Sequence, residues 1–225
     1  MAILDKEWMT DIIRELSKRR PVFYSEADFQ FELAWELKAN LPEDYQIRLE
    51  YPVNIADRRS YVDIVVINGD ELIPIELKYK TRKSQYEIEN EPRFNLKQQS
   101  AQDISRYLFW KDVYRIENLA KTPIDGRNKW GKGFAIFLTN DATFWLRDGD
   151  GTIFEMYSMA PGYKGPKELD WNYKDSDKLP DWINKYKKFK RTGAYEVQWV
   201  PYEPKDGTEP HIKKELQFVI LQCMK

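Results

Sequence analysis

Residues 61–80 read YVDIVVINGDELIPIELKYK and constrain the fold more than any other stretch of the chain. Two runs rich in Val and Ile meet at an Asn-Gly-Asp turn, and a turn of this kind between apolar runs predicts a tight β-hairpin. The turn occupies either residues 68–69 or residues 69–70, and the pattern alone leaves both registers open. We therefore expect one strand over 61–67 and a returning strand over 71–80.

Three charged side chains interrupt these apolar runs, namely Asp63, Glu76 and Lys78. Successive side chains of a strand point to opposite faces, so Glu76 and Lys78 share one face. Both turn registers bring Asp63 to that face, about 5 Å from Glu76 when directly opposite and ~7–8 Å away on the diagonal. Two carboxylates at such a distance repel unless a cation neutralises them. The pattern predicts either two ligands for one divalent cation or an ion pair with Lys78, and the apolar flanks favour the first.

An acid two residues before a lysine is a common pattern, so its context gives it weight. It occurs also at residues 36–38, inside a predicted helix, and at residues 203–205, inside a loop that contains Pro. Only residues 76–78 lie on a predicted strand with a further acid across the hairpin.

A fourth acidic residue lies on the helix that begins after Ser25, which we expect to be its N-cap. Phe29, Leu33 and Leu37 form one apolar stripe along this helix. At 100° per residue Glu26 falls inside the same stripe and therefore points toward the sheet on which the helix packs. Acidic residues also favour helix N-termini for electrostatic reasons alone.

The rest of the chain predicts an α+β fold. Beyond the hairpin we expect helices at 7–19, 25–41, 96–120 and 181–191, and strands at 46–53, 133–139, 142–148, 152–158, 195–202 and 215–223. Residues 81–95 and 160–181 are polar or rich in Pro and Gly, which is typical of loops. This order of helices and strands favours a mixed central sheet flanked by helices, in a single domain of residues 1–225.

The composition excludes several classes of protein. The chain has one His and one Cys, His211 and Cys223, too few for a zinc site of four such ligands or for an internal disulfide. Cys223 lies in the apolar segment 215–223, so we expect a buried structural thiol rather than a nucleophile paired with His211. Any catalysis then depends on carboxylates, lysines and a metal ion.

The charge and hydropathy of the chain limit its partners. No apolar run reaches the ~18 residues of a membrane span, and the N-terminus lacks the pattern of a signal peptide. We therefore expect a cytoplasmic protein without a membrane partner. The formal net charge is −1, so nucleic-acid binding requires a local basic face. Residues 78–83 and 185–191 are two basic clusters with interleaved aromatic residues.

These residues together resemble a known superfamily. A Glu that opens a helix, an Asp on a strand, Glu-x-Lys on its hairpin partner, a long helix and a further strand are similar to the PD-(D/E)XK nucleases, which have the restriction-endonuclease-like fold. The resemblance covers residues 25–139, and residues 140–225 are expected to form a β-rich C-terminal elaboration. Val62 stands where the name-giving Pro would be, at a position that varies in the superfamily. Pro74 lacks an N–H within a predicted strand and indicates an edge or a bend.

The resemblance implies a metal-dependent nuclease that hydrolyses phosphodiester bonds in DNA, as a restriction, repair or defence endonuclease. Asp63, Glu76, Glu26 and the carbonyl group of Leu77 would hold Mg²⁺, with Mn²⁺ as a substitute. Lys78 would stabilise hydroxide or the negative charge that develops on the phosphorus centre.

Further residues follow from the same resemblance. Gln102 matches a Gln that many relatives carry on the helix after the lysine, although an ordinary surface position explains it equally well. The nucleic-acid contacts would come from the two basic clusters, through Lys80, Arg82, Lys83, Lys187, Lys188, Lys190 and Arg191. Enzymes that cut two strands often dimerise, so a homodimer follows by analogy.

Two alternatives stay open. The first is a catalytically inactive module on the same fold that binds nucleic acid or another partner, with the charged residues serving as a structural ion pair. The second is a nuclease of the same type that cleaves RNA.

Overall fold

The computed structural model describes residues 3–55, 58–88, 90–119, 121, 129–147, 149–173, 181–203 and 215–223. The α-helices there are α1 (Lys6–Arg19), α2 (Glu26–Asn40), α3 (Gln102–Leu119) and α4 (Thr143–Leu146). The strands there are β1 (Gln46–Ile55), β2 (Arg58–Asn68), β3 (Glu71–Lys80), β4 (Ser84–Tyr86), β5 (Phe94–Leu96), β6 (Lys129–Trp130), β7 (Gly133–Thr139), β8 (Glu168–Leu169), β9 (Phe189–Lys190), β10 (Trp199–Pro201) and β11 (Gln217–Cys223). Single 3₁₀ turns occur at Glu155–Tyr157 and Asp181–Lys185.

One mixed sheet organises the fold, with the strand order β1-β2-β3-β7-β11-β10. The pairs β1–β2, β2–β3, β7–β11 and β10–β11 are antiparallel, whereas β3 and β7 are parallel. The short strand β6 also pairs with β3 in parallel. The predicted class, a mixed α/β fold with a mixed central sheet between helices, is confirmed. No helix in the described part of the chain combines the length and apolar character that a membrane crossing requires.

Helices cover both faces of the sheet. On one face α1 and α2 form a buried cluster with β3, in which Leu33 packs in the same core as Leu77. On the other face α3 packs on β7, and the rings of Phe109 and Phe137 meet edge to face with centroids 5.5 Å apart. Because β3 lies in the interior of the sheet between these layers, a charged side chain on it is largely withdrawn from water.

The hairpin of β2 and β3 adopts one of its two expected registers. Asn68 pairs with Glu71, so the turn consists of Gly69 and Asp70. Gly69 has φ +56°, a left-handed conformation that costs a glycine little. The predicted strands are confirmed, and β2 begins three residues earlier than expected.

Pro74 lies on an interior strand and not at an edge of the sheet. The parallel neighbour of β3 changes near this residue: Leu72 pairs with Trp130 of β6, whereas Ile75 pairs with Phe134 of β7. Pro74 therefore lies between the segment of β3 that pairs with β6 and the segment that pairs with β7. Its missing N–H removes no hydrogen bond from either pairing.

Ser25 caps α2 as expected, since its side chain accepts a hydrogen bond from the Asp28 N–H at 3.1 Å. Helix α3 begins at Gln102, six residues later than predicted. The residues before it belong instead to β5, which pairs with β4 in a small ribbon inside the segment predicted as a loop. Cys223 is a buried free thiol, and His211 lies outside the described residues.

The largest errors of the sequence prediction fall after β7. The predicted strand at 142–148 is wrong, because the Asp141 carboxylate accepts hydrogen bonds from the backbone N–H and the hydroxyl of Thr143 and starts the short helix α4. The predicted strand at 152–158 is also wrong, because this segment forms a 3₁₀ turn at Glu155–Tyr157. Tyr157 of this turn is buried against Tyr107 of α3.

The predicted helix at 181–191 is also wrong. This segment forms a 3₁₀ turn followed by β9, which pairs with β8. The strand expected at 195–202 is limited to β10, whereas the final strand β11 is confirmed. In this region the rings of Tyr157, Trp171 and Phe189 pack around Tyr107 of α3.

Gly133 provides a test of the packing between β3 and α3. A Cβ atom there would lie 2.5 Å from Ile116 Cγ2 and 2.9 Å from the Pro74 carbonyl oxygen. We expect Gly133→Ala to lower the free energy of unfolding by about 2 kcal/mol, as overpacking does, measured by urea denaturation. Gly131→Ala is the matched control, because its Cβ meets only the movable Glu71 side chain. Equal stability of the two variants would contradict the tight packing.

Candidate functional site

The strands β2 and β3 pair over only part of their length. Their pairing ends at Ile64 and Ile75, beyond which β2 stays beside β1 and β3 stays beside β7. Asp63 is the first residue of β2 past this divergence. No strand of the described residues pairs with residues 76–80 on the β2 side, so the N–H groups that point there need other partners.

Two carboxylates fill this open edge. Asp63 Oδ2 accepts a hydrogen bond from the Leu77 N–H at 2.6 Å, and Glu26 Oε2 accepts one from the Tyr79 N–H at 2.8 Å. Leu77 and Tyr79 are two residues apart, so the two contacts are separated by about 7 Å along the strand. The acid from the first turn of α2 and the acid from β2 thus lie side by side along the edge of β3.

The regular alternation of β2 breaks at Asp63. Ile64 and Val66 are buried in the cluster under α1 and α2, whereas Val62 belongs to a different cluster with Leu119 at the end of α3. Strict alternation would put Val62 on the same face as Ile64. The irregular backbone allows the Asp63 carboxylate to reach the edge of β3 instead of projecting from a face.

Gln30 of α2 holds this irregular segment in place. Its side-chain amide donates hydrogen bonds to the Asp63 carbonyl oxygen at 2.6 Å and to Glu50 Oε1 at 2.9 Å. Glu50 lies on β1 and has φ +49°, a conformation that non-glycine residues rarely adopt. Uncommon backbone geometry of this kind persists only where surrounding contacts enforce it, and it is enriched at functional sites.

Helix α3 brings two further charged residues to the site from the other face of the sheet. Lys78 Nζ lies 2.8 Å from Asp112 Oδ2, and Arg115 Nη2 lies 3.2 Å from Glu76 Oε1. Arg115 Nη1 and Asp112 Oδ1, at 3.4 Å, join the two pairs. The result is a chain of alternating charges from Lys78 through Asp112 and Arg115 to Glu76.

Negative charge exceeds positive charge in this cluster. The divergence cluster consists of Glu26, Asp63, Glu76 and Asp112 with Lys78 and Arg115. When all six groups are ionised, the sum of their formal charges is −2. Glu76 is 2% exposed and Asp112 is 4% exposed. Their oxygens Glu76 Oε1 and Asp112 Oδ2 contact cations, but neither accepts a hydrogen bond of normal geometry.

Burial and the neighbouring charges both shift the pKa values of this cluster. Burial raises the pKa of Asp63 to about 6, against the lowering effect of the Leu77 N–H and of Lys78. Burial and the neighbouring charge of Asp112 raise the pKa of Glu76 well above its usual value. Burial alone would lower the pKa of Lys78, but the charges of Asp112 and Glu26 outweigh it and raise that pKa. Lys78 is therefore a permanent cation at neutral pH.

The cluster meets some requirements of a metal site and not others. Within the described residues no three side chains of His, Cys, Asp or Glu lie close enough together to hold a metal ion as they stand. The Leu77 carbonyl accepts a hydrogen bond from Lys78 Nζ at 2.9 Å. The carboxylate oxygens of Asp63 and Glu76 are of the chemical type that Mg²⁺ prefers, and the cluster has a formal charge of −2 when all its groups are ionised.

Gln102 does not join the divergence cluster. It is the first residue of α3, ten residues and thus about 15 Å along the axis from Asp112. Its side-chain amide donates to Asp141 Oδ2 at 3.1 Å. Gln102 therefore fixes the loop after β7, and α3 reaches the cluster through Asp112 and Arg115 instead.

Most of the basic residues singled out in the sequence lie at the surface. The exposed ones are Arg82, Lys83, Lys187, Lys188 and Lys190, while Lys80 is half-buried. The prediction that Arg191 contacts nucleic acid is wrong. Arg191 is 2% exposed and donates hydrogen bonds to the carbonyl oxygens of Pro166 and Gly165. A guanidinium in this position stabilises the loop 164–166 and is not available to a phosphate group.

The sequence analysis missed Asp112, Arg115 and Gln30. Asp112 and Arg115 are three residues apart on a helix that is apolar around much of its circumference, which is the signal that could have indicated buried partners. Predicting that they contact Glu76 and Lys78 would require knowledge of the angle at which α3 crosses β3. The spacing of residues along a helix gives no information about that angle.

Comparisons with known proteins identify no relative. No protein-family model, no curated protein and no solved structure matches the chain.

The raised pKa of Asp63 predicts how stability depends on pH. A carboxyl group with a folded-state pKa near 6 and an ordinary value of 3.8 binds its proton more tightly in the folded protein. Its contribution to stability is therefore complete at low pH and is lost as pH rises through about 6. We expect the free energy of unfolding to fall between pH 4 and pH 7 by about 2 kcal/mol more in the wild type than in Asp63→Asn. If the free energy of unfolding, measured by urea denaturation, depended on pH equally in the two proteins, the raised pKa of Asp63 would be contradicted.

The buried pair of Lys78 and Asp112 predicts a second measurable effect. We expect Asp112→Asn to lower the free energy of unfolding by about 3 kcal/mol, because it leaves a buried cation without its counter-ion. The double variant with Lys78→Met should lose less than the sum of the single losses. Glu15→Gln, in the exposed pair with Lys18, is the control and should change stability by less than about 0.5 kcal/mol. Additive losses at 78 and 112 would show that the pair does not interact.

Proposed function

We propose that the protein is a metal-dependent nuclease of the PD-(D/E)XK type that hydrolyses phosphodiester bonds in DNA. In this proposal the segment from α2 to β7 corresponds to the restriction-endonuclease-like core. The observation that carries the proposal is the divergence cluster, where acids from β2, β3 and α2 meet one lysine at a gap between two strands. Two contacts support the proposal: Asp63 and Glu26 accept hydrogen bonds from the edge of β3, and their charges act on Lys78.

Electrostatics support a cation at this place. A cluster with a formal charge of −2 and raised carboxyl pKa values gains most from a ligand of charge +2. Asp63 and Glu76 would hold Mg²⁺ or Mn²⁺, with Glu26 and the Leu77 carbonyl beside them. When bound, the metal ion would neutralise charge on the phosphate and lower the pKa of an attacking water.

The residues of the chain would act as follows. Lys78, a cation at neutral pH, would stabilise hydroxide or the negative charge that develops on the phosphate oxygens. Because its pKa is raised, Lys78 would not serve as a general base. Asp112 would orient the Lys78 ammonium group, and Arg115 would orient Glu76. Gln30 would fix the backbone of Asp63.

Positive charge for a polynucleotide backbone is available near the end of β3. Lys80 lies at the end of the strand, and Arg82 and Lys83 follow it on the exposed surface. A second exposed group consists of Lys187, Lys188 and Lys190. Contacts of this kind would bind phosphates without regard to sequence and would weaken as salt concentration rises.

One observation favours a second candidate function. The cations of the divergence cluster are already paired with carboxylates, as expected for a structural network in a binding module without catalysis. Calorimetric titration with Mg²⁺ and Mn²⁺ discriminates between the two, because a purely structural network would take up no metal ion. An RNA-cleaving nuclease remains the third candidate, and the same cleavage assay with RNA decides it.

The experiment that tests the proposal is cleavage of supercoiled plasmid, linear duplex and single-stranded DNA with Mg²⁺ or Mn²⁺. We expect cleavage by the wild type and a loss of at least about 100-fold in rate for Asp63→Asn and for Lys78→Ala, since each removes a charge acting on the transition state. EDTA should abolish the reaction.

Two surface variants control for general effects of charge. Asp44→Asn and Lys18→Ala change the same types of residue at exposed positions on other elements and should retain full activity. Circular dichroism and thermal melting establish that each variant is folded. Cleavage that persists in both Asp63→Asn and Lys78→Ala would place the chemistry elsewhere in the protein.

A further inference from the structure

The part of β2 beyond the divergence exposes an aromatic ring and a cation. Residues 58–62 pair with β1 on one side and have no strand of the described chain on the other. Tyr61 is 44% exposed, although it lies within a strand of the central sheet. The guanidinium carbon of Arg59 lies 5.4 Å from the centroid of its ring. Arg59 and Tyr61 thus form one amphipathic surface, the Tyr61 platform.

The Tyr61 platform adjoins the divergence cluster. Arg115 Nη2 donates to the Tyr61 carbonyl oxygen at 2.6 Å and lies 3.2 Å from Glu76 Oε1. One nitrogen atom therefore contacts both the backbone of Tyr61 and the acid of the candidate metal site. Tyr61 also precedes Asp63 by two residues. The platform and the cluster are therefore neighbours at the diverging end of β2.

The chemistry of the platform matches a nucleotide. A nucleobase has a flat π-surface that stacks on an exposed aromatic ring whatever its sequence. A guanidinium beside the ring can pair with a phosphate oxygen or stack on a base in turn. Inside a duplex both faces of each base are covered by its neighbours, whereas an unpaired strand offers a free base face at every position.

We propose that the Tyr61 platform stacks on an unpaired base next to the phosphate held at the divergence cluster, so that the protein prefers single-stranded polynucleotide. This inference rests on the proposed function for the position of the phosphate. Arg59 supplies the charge that holds the neighbouring phosphate. Deoxyribose and ribose strands share the base and the phosphate, so the platform by itself accepts both.

The test measures binding in EDTA, where a metal-dependent enzyme does not cleave. Fluorescence anisotropy follows labelled 12-residue oligonucleotides, as single-stranded DNA, as single-stranded RNA and as the blunt DNA duplex of the same sequence. We expect Tyr61→Ala to raise Kd for the single strands about tenfold and for the duplex less than about twofold. Tyr61→Phe should bind as the wild type does, because stacking does not need the hydroxyl group.

Trp35→Ala is the matched control. Trp35 is an exposed aromatic residue on α2 whose ring lies near that of Phe31, and its removal should leave all Kd values unchanged. Tyr61→Leu keeps an apolar side chain and a folded strand while it removes the aromatic ring, and it should resemble Tyr61→Ala. Arg59→Gln should weaken the binding of single strands and flatten its dependence on salt.

The outcomes separate this inference from the proposed function. Selective loss of single-strand binding in Tyr61→Ala supports the platform, even if the wild type cleaves nothing and the nuclease proposal fails. Equal loss on duplex and single strands, no loss at all, or a wild type that binds neither form would overturn the platform. Metal-dependent cleavage with an unchanged KM for single strands in Tyr61→Ala would also overturn it and leave the nuclease proposal intact.

Discussion

The open edge of β3 is the constraint on which the site depends. Where β2 diverges from β3, the N–H groups of the buried residues Leu77 and Tyr79 have no partner strand on that side. The carboxylates of Asp63 and Glu26 replace that strand, and a buried N–H group is costly to leave unpaired. Two acids are thereby fixed at neighbouring positions for a structural reason. Asp63 is also close enough to Glu76 for the charge of Asp63 to raise the pKa of Glu76 further.

The negative charge of these acids is balanced in part by contacts with two cations, Lys78 and Arg115. Lys78 and Arg115 each contact carboxylates, and Asp112 joins them into one network that links α3 to β3. Arg115 also donates to the Tyr61 carbonyl oxygen and so links α3 to β2. The network leaves a formal excess of two negative charges in a site of low exposure. Such an excess is unfavourable for folding alone, since buried charges repay their desolvation only when they are paired.

Local patterns predicted the centre of this protein well and its C-terminal part poorly. The hairpin followed from the Asn-Gly-Asp turn, and α2 followed from its N-cap at Ser25, because both depend on contacts within a few residues. The strands expected at 142–148 and 152–158 do not form. There, side-chain contacts such as Asp141 with Thr143 and Tyr157 with Tyr107 outweigh the propensity of aromatic residues for strands.

The sequence by itself determined the hairpin of β2 and β3 and placed Glu76 and Lys78 on one face of its second strand, because the period of a strand fixes which side chains share a face. It also indicated the direction of Glu26, because the apolar stripe of α2 must face the sheet. Only the tertiary structure decided the point at which β2 and β3 separate, the break in alternation at Asp63, and the arrival of Asp112 and Arg115. These features depend on the packing of α3 and α2 against opposite faces of the sheet, and such packing couples residues far apart in the chain that no local period relates.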